Sequence, residues 1–471
     1  MSDTINDSET INDRYCIIGA GASGLAVAKT FIERGIPFDL LEREADIGGL
    51  WNIATDSGIV YETTHLISAV TTTVFEDYPI STDSPSTDID YPGHAWVLDY
   101  LRRYCRVSGI EPHLQTSTTV TSVTPRDDGA WWVGVAGEAT ARLYAGVVVA
   151  NGHHDKPRRP DYPGHFDGEI IHSRDYKTLR QLRDKRVLVV GAGNSGCDIV
   201  KDAACASGGA ATLSMRRGTW FVPKFILGFP TGDVLANVEW LLTPLPRVLK
   251  AYLFQATLWV LQGPPSRYKL PDPDHRIDQA HPTMSDDIPR LASHGRVIVK
   301  PAIERLDGGC VLFADGSRST FDMIVLATGY ELSIPFLDRC TYMGANGKPR
   351  LFLNTAQPDH PHLFFAGLIQ ANGSIWRLAA LQGRIIANSI IAERHAPDEW
   401  LAFRARVSRE AGAVSRQAFV ASDRHTLEAN YFDCARACKR VIASFKIAGK
   451  QMFVAAPVAR ADVAELSQAA E

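Results

Sequence analysis

Cysteine is scarce in this chain: eight residues among 471, with no two standing as C-x-x-C. A zinc ribbon and a thioredoxin-like dithiol both need thiolates at that close spacing, so both are excluded. Cys434 and Cys438 are four apart. They read as two thiols on one helix of a reduced, cytoplasmic protein. A secretory signal is missing too. The opening MSDTINDSETINDR is polar and acidic, so residues 1–13 read as a disordered leader. Long apolar runs are equally rare. VLKAYLFQATLWVL (248–261) is fenced by Pro244, Pro246, Pro264 and Pro265 and falls short of the ~18–20 residues of a spanning helix. It is expected to be a buried or lid helix, with peripheral membrane contact as the second reading. Charge of one sign is lacking: 49 Lys+Arg against 53 Asp+Glu leave a net −4. That is not the basic footprint of a nucleic-acid binder. With 45% hydrophobic and 22% charged residues, the chain has globular composition, which excludes intrinsic disorder.

What is present is glycine in two clusters. RYCIIG reads as a buried strand and GAGASG as a glycine turn; LAVAKTFIERG follows as a helix and IPFDLLE as a second strand ending at Glu42. Gly19 permits the tight turn, Gly21 lets the backbone approach a pyrophosphate, and Gly24 lets helix pack on strand. Ala22 and Ser23 open the helix, whose N-terminal N–H groups face the phosphates. Glu42 stands 18 residues after Gly24, where a carboxylate accepts ribose hydroxyls; Arg43 follows it. The unit recurs as KRVLVVG, GAGNSG (Gly191, Gly193, Asn194, Ser195, Gly196) and ATLSMRR. Arg216, 20 residues after Gly196, now holds the acidic position. A guanidinium binds the 2′-phosphate that a carboxylate would repel. One site thus suits an adenine dinucleotide with a free ribose and the other NADPH.

The expected fold class is α/β, with two Rossmann-like dinucleotide-binding domains. VVVANGH and FDMIVLATGY (with Gly329) read as crossings between them. The first domain then covers 14–178 and 322–445. The NADPH domain, 179–321, is inserted into it and carries a hydrophobic insertion at 220–290. Residues 446–471 are a C-terminal tail. The insertion, rich in aromatics and aliphatics, reads either as a lid for an apolar substrate or as core packing. His153 and His154 follow a strand end without a matching cluster, so they read as structural or surface residues and no metal is expected.

From 14 to 391 the chain resembles the flavin-containing monooxygenases. GAGASG, IGGLW, FDGEIIHSRDY, GAGNSG with its arginines, and LATGY carry the resemblance. The third is the most specific. Phe166, Gly168, His172 and Tyr176 fill the family fingerprint F-x-G-x-x-x-H-x-x-x-(Y/F), where the related Baeyer–Villiger enzymes carry Trp last. The resemblance implies FAD in the first domain and NADP in the second. It places Gly49, Leu50 and Trp51 along the flavin and Gln370 near the isoalloxazine. Asn194 and Ser195 fall on the NADP pyrophosphate, and Ser214 and Arg216, then Arg217, on the 2′-phosphate. His172 is expected to make a structural hydrogen bond. The family asparagine upstream of FEDYP falls here on Ile67, which donates nothing, and leaves His65 and Ser68 as polar candidates.

The implied cycle passes a hydride from NADPH to flavin, forms a C4a-peroxyflavin with dioxygen and oxygenates an amine nitrogen or sulfide sulfur. Baeyer–Villiger oxidation of a ketone, or an uncoupled NADPH oxidase, is the alternative. A disulfide reductase lacks its cysteine pair; a non-catalytic cofactor sensor would follow from the lost asparagine. The expected partners are a small apolar substrate and dioxygen, with no nucleic acid, and a homodimer stays open.

Overall fold

In the computed structural model, described over residues 13–80, 88–412 and 427–447, two five-stranded parallel sheets lie in one chain. Most of the expected leader and tail lies outside the described residues. The chain opens with β1 (Tyr15–Ile18), α1 (Ala22–Glu33) and β2 (Phe38–Leu41). β3 (Leu114–Gln115) and β4 (Gly146–Val149) join the same sheet. β5 (Glu169–His172) starts the second sheet, and β6 (Val187–Val190), α2 (Asn194–Ala206) and β7 (Ala211–Ser214) repeat the opening unit there. Two helices follow, α3 (Thr231–Leu242) and α4 (Arg247–Gln262). β8 (Val297–Lys300) and β9 (Met323–Leu326) complete the second sheet. β10 (Leu363–Phe365), β11 (Gln370–Ala371), α5 (Ile375–His395), β12 (Glu428–Ala429) and α6 (Tyr431–Ser444) return to the first unit.

The strand orders are β10-β4-β1-β2-β3 and β5-β9-β6-β7-β8. β4 lies between β1 and β10 in the first sheet, β9 lies between β6 and β5 in the second, and all four residues of β1, β4, β6 and β9 are buried. Burial on both faces is why these strands read as unbroken apolar runs. The nesting is as expected, but its boundaries move. β5 and β9 pair in parallel with each other, and β9 with β6. Residues 169–172 and 323–326 therefore belong to the second sheet and not to the flanking halves of the first. The local run around β5 (GEIIHS) is too short to announce its partner; only the tertiary pairing does.

The 248–261 segment is helical, within α4, but the buried expectation fails. Of its residues Ala251 and Leu258 are in the core, while Val260 is 85% and Trp259 57% exposed. On α3 Trp240 is 75% exposed, and Leu227 in the neighbouring hairpin 82%. An apolar run shows hydrophobicity, and cannot show whether the fold supplies a second layer to cover it.

The seam between the units is polar and buried. Tyr176, with no solvent exposure, donates its hydroxyl to Asp202 Oδ2 of α2 at 2.9 Å. Thr63, from the first unit, donates to the same oxygen. Tyr61 packs on the Tyr176 ring (centroids 5.1 Å) and donates to Asp198. Burial outweighs the two donors and pushes the Asp202 carboxyl above its usual range. Tyr176→Phe removes one donor from a buried carboxylate and should cost about 1–3 kcal/mol. Calorimetric melting will read this as a lower Tm; an unchanged Tm would show that the hydroxyl holds nothing.

Candidate active site

The first glycine turn is held by contact distances that exclude a side chain. A Cβ on Gly24 would sit 1.9 Å from the Gly19 carbonyl oxygen, and Gly19 itself has φ +102°. Gly21 ends the turn at the α1 N-terminus, followed by Ala22 and Ser23 in the first helical turn. The GGLW segment folds over it as a 3-10 turn, Gly49–Trp51, with Gly49 beside Gly21 and the Gly48 N–H donating to Ala20 O at 3.1 Å. Leu50 and Trp51 are half-buried there.

Glu42 is buried at the end of β2. Its Oε2 accepts the Ala20 N–H at 2.6 Å and its Oε1 the Glu44 N–H at 3.0 Å. Burial pushes its carboxyl up. Each oxygen keeps a second lone pair for a ribose hydroxyl. Glu42 therefore braces the turn. Beyond it, Arg43, Glu44, Asp56, Thr119, Asp155 and Arg174 line a polar cavity of about 380 Å³, where the adenosine half of a dinucleotide lies in this fold. Arg43 pairs with Asp155 at 2.8 Å. Arg174 bonds Asp155 Oδ1 at 3.3 Å and the Asp56 carbonyl at 2.7 Å. Sequence reasoning missed Asp155 and Arg174 here, although Arg174 stood inside the fingerprint it quoted.

The second turn repeats the geometry: a Cβ on Gly196 would meet the Gly191 carbonyl oxygen at 1.9 Å. Gly193 caps α2, and Ser195 is exposed in its first turn. Asn194 Oδ1 accepts the Met284 N–H at 3.0 Å, and Thr283 Oγ1 donates to Ala192 O at 2.8 Å. Ser214 departs from its expected role. It is buried at the end of β7 and donates its hydroxyl to Pro301 O at 2.7 Å. Arg217 is paired with Asp274 at 2.8 Å. Arg216 is exposed just past the end of β7.

On the flavin side, Gln370 is fixed by β11 pairing with β12, its N–H donating to Leu427 O at 2.8 Å. Ser374 caps α5 and donates to Thr73 O at 2.7 Å, seating the 67–73 segment on the helix N-terminus. Ser68 Oγ meets Thr73 Oγ1 at 2.7 Å, whereas His65 is exposed with Nδ1 on Thr63 O at 2.9 Å. The two candidates are thus not brought together. Lys224, which the sequence did not single out, extends Nζ to Leu66 O at 3.3 Å and lies 4.9 Å from the Tyr91 ring centre. A cationic donor from the insertion therefore arrives next to Ile67.

Gly329 (φ +79°) accepts His172 Nε2 at 3.1 Å on its carbonyl. His172 Nδ1 accepts the Arg174 N–H at 3.1 Å, so the proton resides on Nε2. The Tyr330 ring lies between His172 and His154 (centroids 5.1 and 5.2 Å), and burial pushes the His154 imidazole down to about 4. His172 meets the Tyr330 ring edge-on and His154 meets it at a tilt, so both pack at the crossing.

The residues fit two dinucleotides. Each glycine cradle would be filled by one Cβ, each lies at a helix N-terminus, and a carboxylate ends one unit where an exposed guanidinium ends the other. Residues 12–457 match the family described as Flavin-binding monooxygenase-like. Flavin-containing monooxygenase 5 of Mus musculus is 31% identical over 448 residues, spanning 89% of this chain and 81% of the mouse protein. Flavin-containing monooxygenase 2 of Homo sapiens is 29% identical over 446 residues, with the same 89% and 81% coverage. Among solved structures, the S-allyl-L-cysteine S-oxygenase of Allium sativum superposes with a TM-score of 0.62 at 21% identity, covering 91% of this chain and 88% of that one. NADP⁺-bound cyclohexanone monooxygenase of Rhodococcus sp. Phi1 gives 0.62 at 17% identity, covering 92% and 98%.

The chain belongs to the flavin-binding monooxygenase family. It is an FAD-dependent monooxygenase that uses NADPH. Arg216→Gln should weaken NADP⁺ binding about tenfold or more while leaving NAD⁺ binding unchanged, since a charge-assisted phosphate contact is worth ~1.5–3 kcal/mol. Titration of both dinucleotides will check this; equal losses would remove Arg216 from the 2′-phosphate site.

Proposed function

We propose that the enzyme delivers one atom of dioxygen to a soft nucleophile, an amine nitrogen or a sulfide sulfur, in a small apolar substrate. The second oxygen atom leaves as water at the expense of one NADPH. FAD, held at the α1 N-terminus and by Glu42, would supply the redox chemistry between NADPH and dioxygen. The chain supplies position. The α1 N-terminus and Glu42 hold one dinucleotide, and the α2 N-terminus and Arg216 the other. Trp51 and Gln370 would flank the flavin, and Lys224 ties down the Leu66 carbonyl beside Ile67.

The observation that carries this reading is Tyr176. Its phenol fills a fully buried slot and reaches Asp202. The tryptophan of the Baeyer–Villiger enzymes is larger and bears its N–H elsewhere on the ring, so it could not reproduce this bond. Ile67 supports the alternatives, ketone oxidation or an uncoupled NADPH oxidase. Lys224 meets the backbone carbonyl beside Ile67 and does not restore a side-chain donor there. The deciding experiment supplies FAD-loaded enzyme with NADPH, air, an aryl methyl sulfide, a tertiary amine and a cyclic ketone. Sulfoxide or N-oxide should form at least about tenfold faster than lactone, a transition-state difference of ~1.4 kcal/mol. Ketone-only turnover would establish the Baeyer–Villiger reading, and peroxide matching all the NADPH consumed would establish an oxidase.

We further propose that the insertion rests on an anionic bilayer surface. Leu227, Phe229, Trp240, Leu241, Trp259 and Val260 are all exposed. α6 is tied to α3 by the Arg436–Glu239 pair at 3.2 Å and carries exposed Lys439 and Arg440. An apolar centre with a cationic flank fits the interfacial region of anionic lipid. No helix among the described residues is long and apolar enough to cross a membrane. The eight cysteines, all within the described residues, form no disulfide, which fits the cytoplasmic side we assign. Sedimentation with phosphatidylglycerol vesicles should retain the enzyme, and Trp259→Glu with Val260→Glu should release most of it. Equal retention of the variant would overturn the docking face.

A further inference from the structure

Glu428 and His281 meet where the two units touch. Glu428 stands in β12 in register with Gln370 and is 5% exposed. His281 directly precedes the segment whose Thr283 and Met284 bond Ala192 and Asn194 of the second glycine turn. His281 Nδ1 lies 3.4 Å from Glu428 Oε2. That is close enough for attraction but misaligned for a hydrogen bond. Among the described residues, both His281 Nδ1 and Glu428 Oε1 are buried with no hydrogen-bond partner. Leaving such atoms unpaired is costly, and native proteins retain them where something else supplies the partner.

The chemistry of the two atoms specifies that partner. A carboxylate oxygen requires an N–H or O–H donor, and an imidazole Nδ1–H requires an acceptor. A primary carboxamide offers an NH₂ and a carbonyl side by side. The nicotinamide ring of NADP carries that group. Hydride transfer requires this ring to leave the 191–196 turn and reach the flavin beside Gln370, which are the two places that the His281 and Glu428 segments join. We infer that Glu428 and His281 clasp the nicotinamide carboxamide, Glu428 Oε1 accepting from the NH₂ and His281 donating to the carbonyl. The clasp orients the ring against the flavin; it rests on the use of NADP by this chain.

Isothermal titration of the oxidised, FAD-loaded enzyme tests the clasp without turnover, using three ligands. These are NADP⁺, its 3-acetylpyridine analogue (carbonyl kept, NH₂ replaced by methyl) and 2′-phospho-ADP-ribose, which has no nicotinamide. The parent should bind NADP⁺ about tenfold tighter than the acetylpyridine analogue, the scale of a hydrogen bond to a charged acceptor. Glu428→Leu should abolish that preference, and Glu428→Gln, keeping volume and a neutral acceptor, should fall between. His281→Leu should weaken both carbonyl-bearing ligands by similar factors. None of the variants should alter 2′-phospho-ADP-ribose binding, which reports an intact second turn. No preference in the parent, or a loss shared by all three ligands in Glu428→Leu and Glu428→Gln, would overturn the clasp. A parent that binds none of the three would instead overturn the NADP assignment beneath it.

Discussion

The constraint on which the structure depends is a contact of 1.9 Å that no side chain could survive, made twice. At Gly24 and again at Gly196, a Cβ would collide with the carbonyl that opens the same turn. Only because both positions are glycine can α1 and α2 press their first turns against β1 and β6. That pressing aims unpaired helix N–H groups at the space above each sheet, and an anion placed there needs no other charged partner. The two units then differ at the end of the next strand. The buried carboxylate of Glu42 ends one, and the exposed guanidinium of Arg216 ends the other. The same scaffold thus ends in opposite charges at corresponding positions of its two units.

Two such units would be independent domains if their sheets were closed locally. They are not. The outer strand of the first sheet, β10, comes from after the inserted unit, and the outer strand of the second, β5, comes from before it. The chain therefore crosses twice, and both crossings carry polar groups that must be satisfied where water is excluded. Asp202 takes hydroxyls from Tyr176 and Thr63, and His172 takes a donor on one nitrogen while giving the other's proton to Gly329. The fingerprint residues are thus the fittings of the seam. Their spacing follows from a strand (β5) that must end beside β9 before the chain can turn back to Asp202.

These features differ in how far the sequence announced them. The glycine turns were legible because local backbone geometry demands glycine at fixed offsets. The seam was half legible: His172 and Tyr176 stood in a motif, but Asp202 is one acidic residue on a helix and becomes distinctive only when Thr63, 139 positions away, reaches it. The same reason hid Lys224 and the pair His281 and Glu428. Each is an ordinary residue type with no local pattern, and each matters through a partner distant in sequence. Ser214 shows the converse, a residue that a motif offered to the ligand and the fold bound to Pro301. The domain boundaries slipped because a strand's sheet is a tertiary property, which β5 and β9 do not encode in their own four residues.

The insertion draws these threads together. Lys224 at one end of it touches the backbone beside Ile67, close to the α5 N-terminus that seats residues 67–73. The next residues run outward into the hairpin and helices that carry Leu227, Trp240 and Val260 on the surface. A single stretch of chain therefore joins the outer apolar face to the segment that carries Ile67. Because Lys224 is also held by Asp286 through its backbone N–H and by Tyr91 through its carbonyl, that connection is stiff at its inner end. Lys224 is thus the point at which the insertion is tied to the backbone beside Ile67.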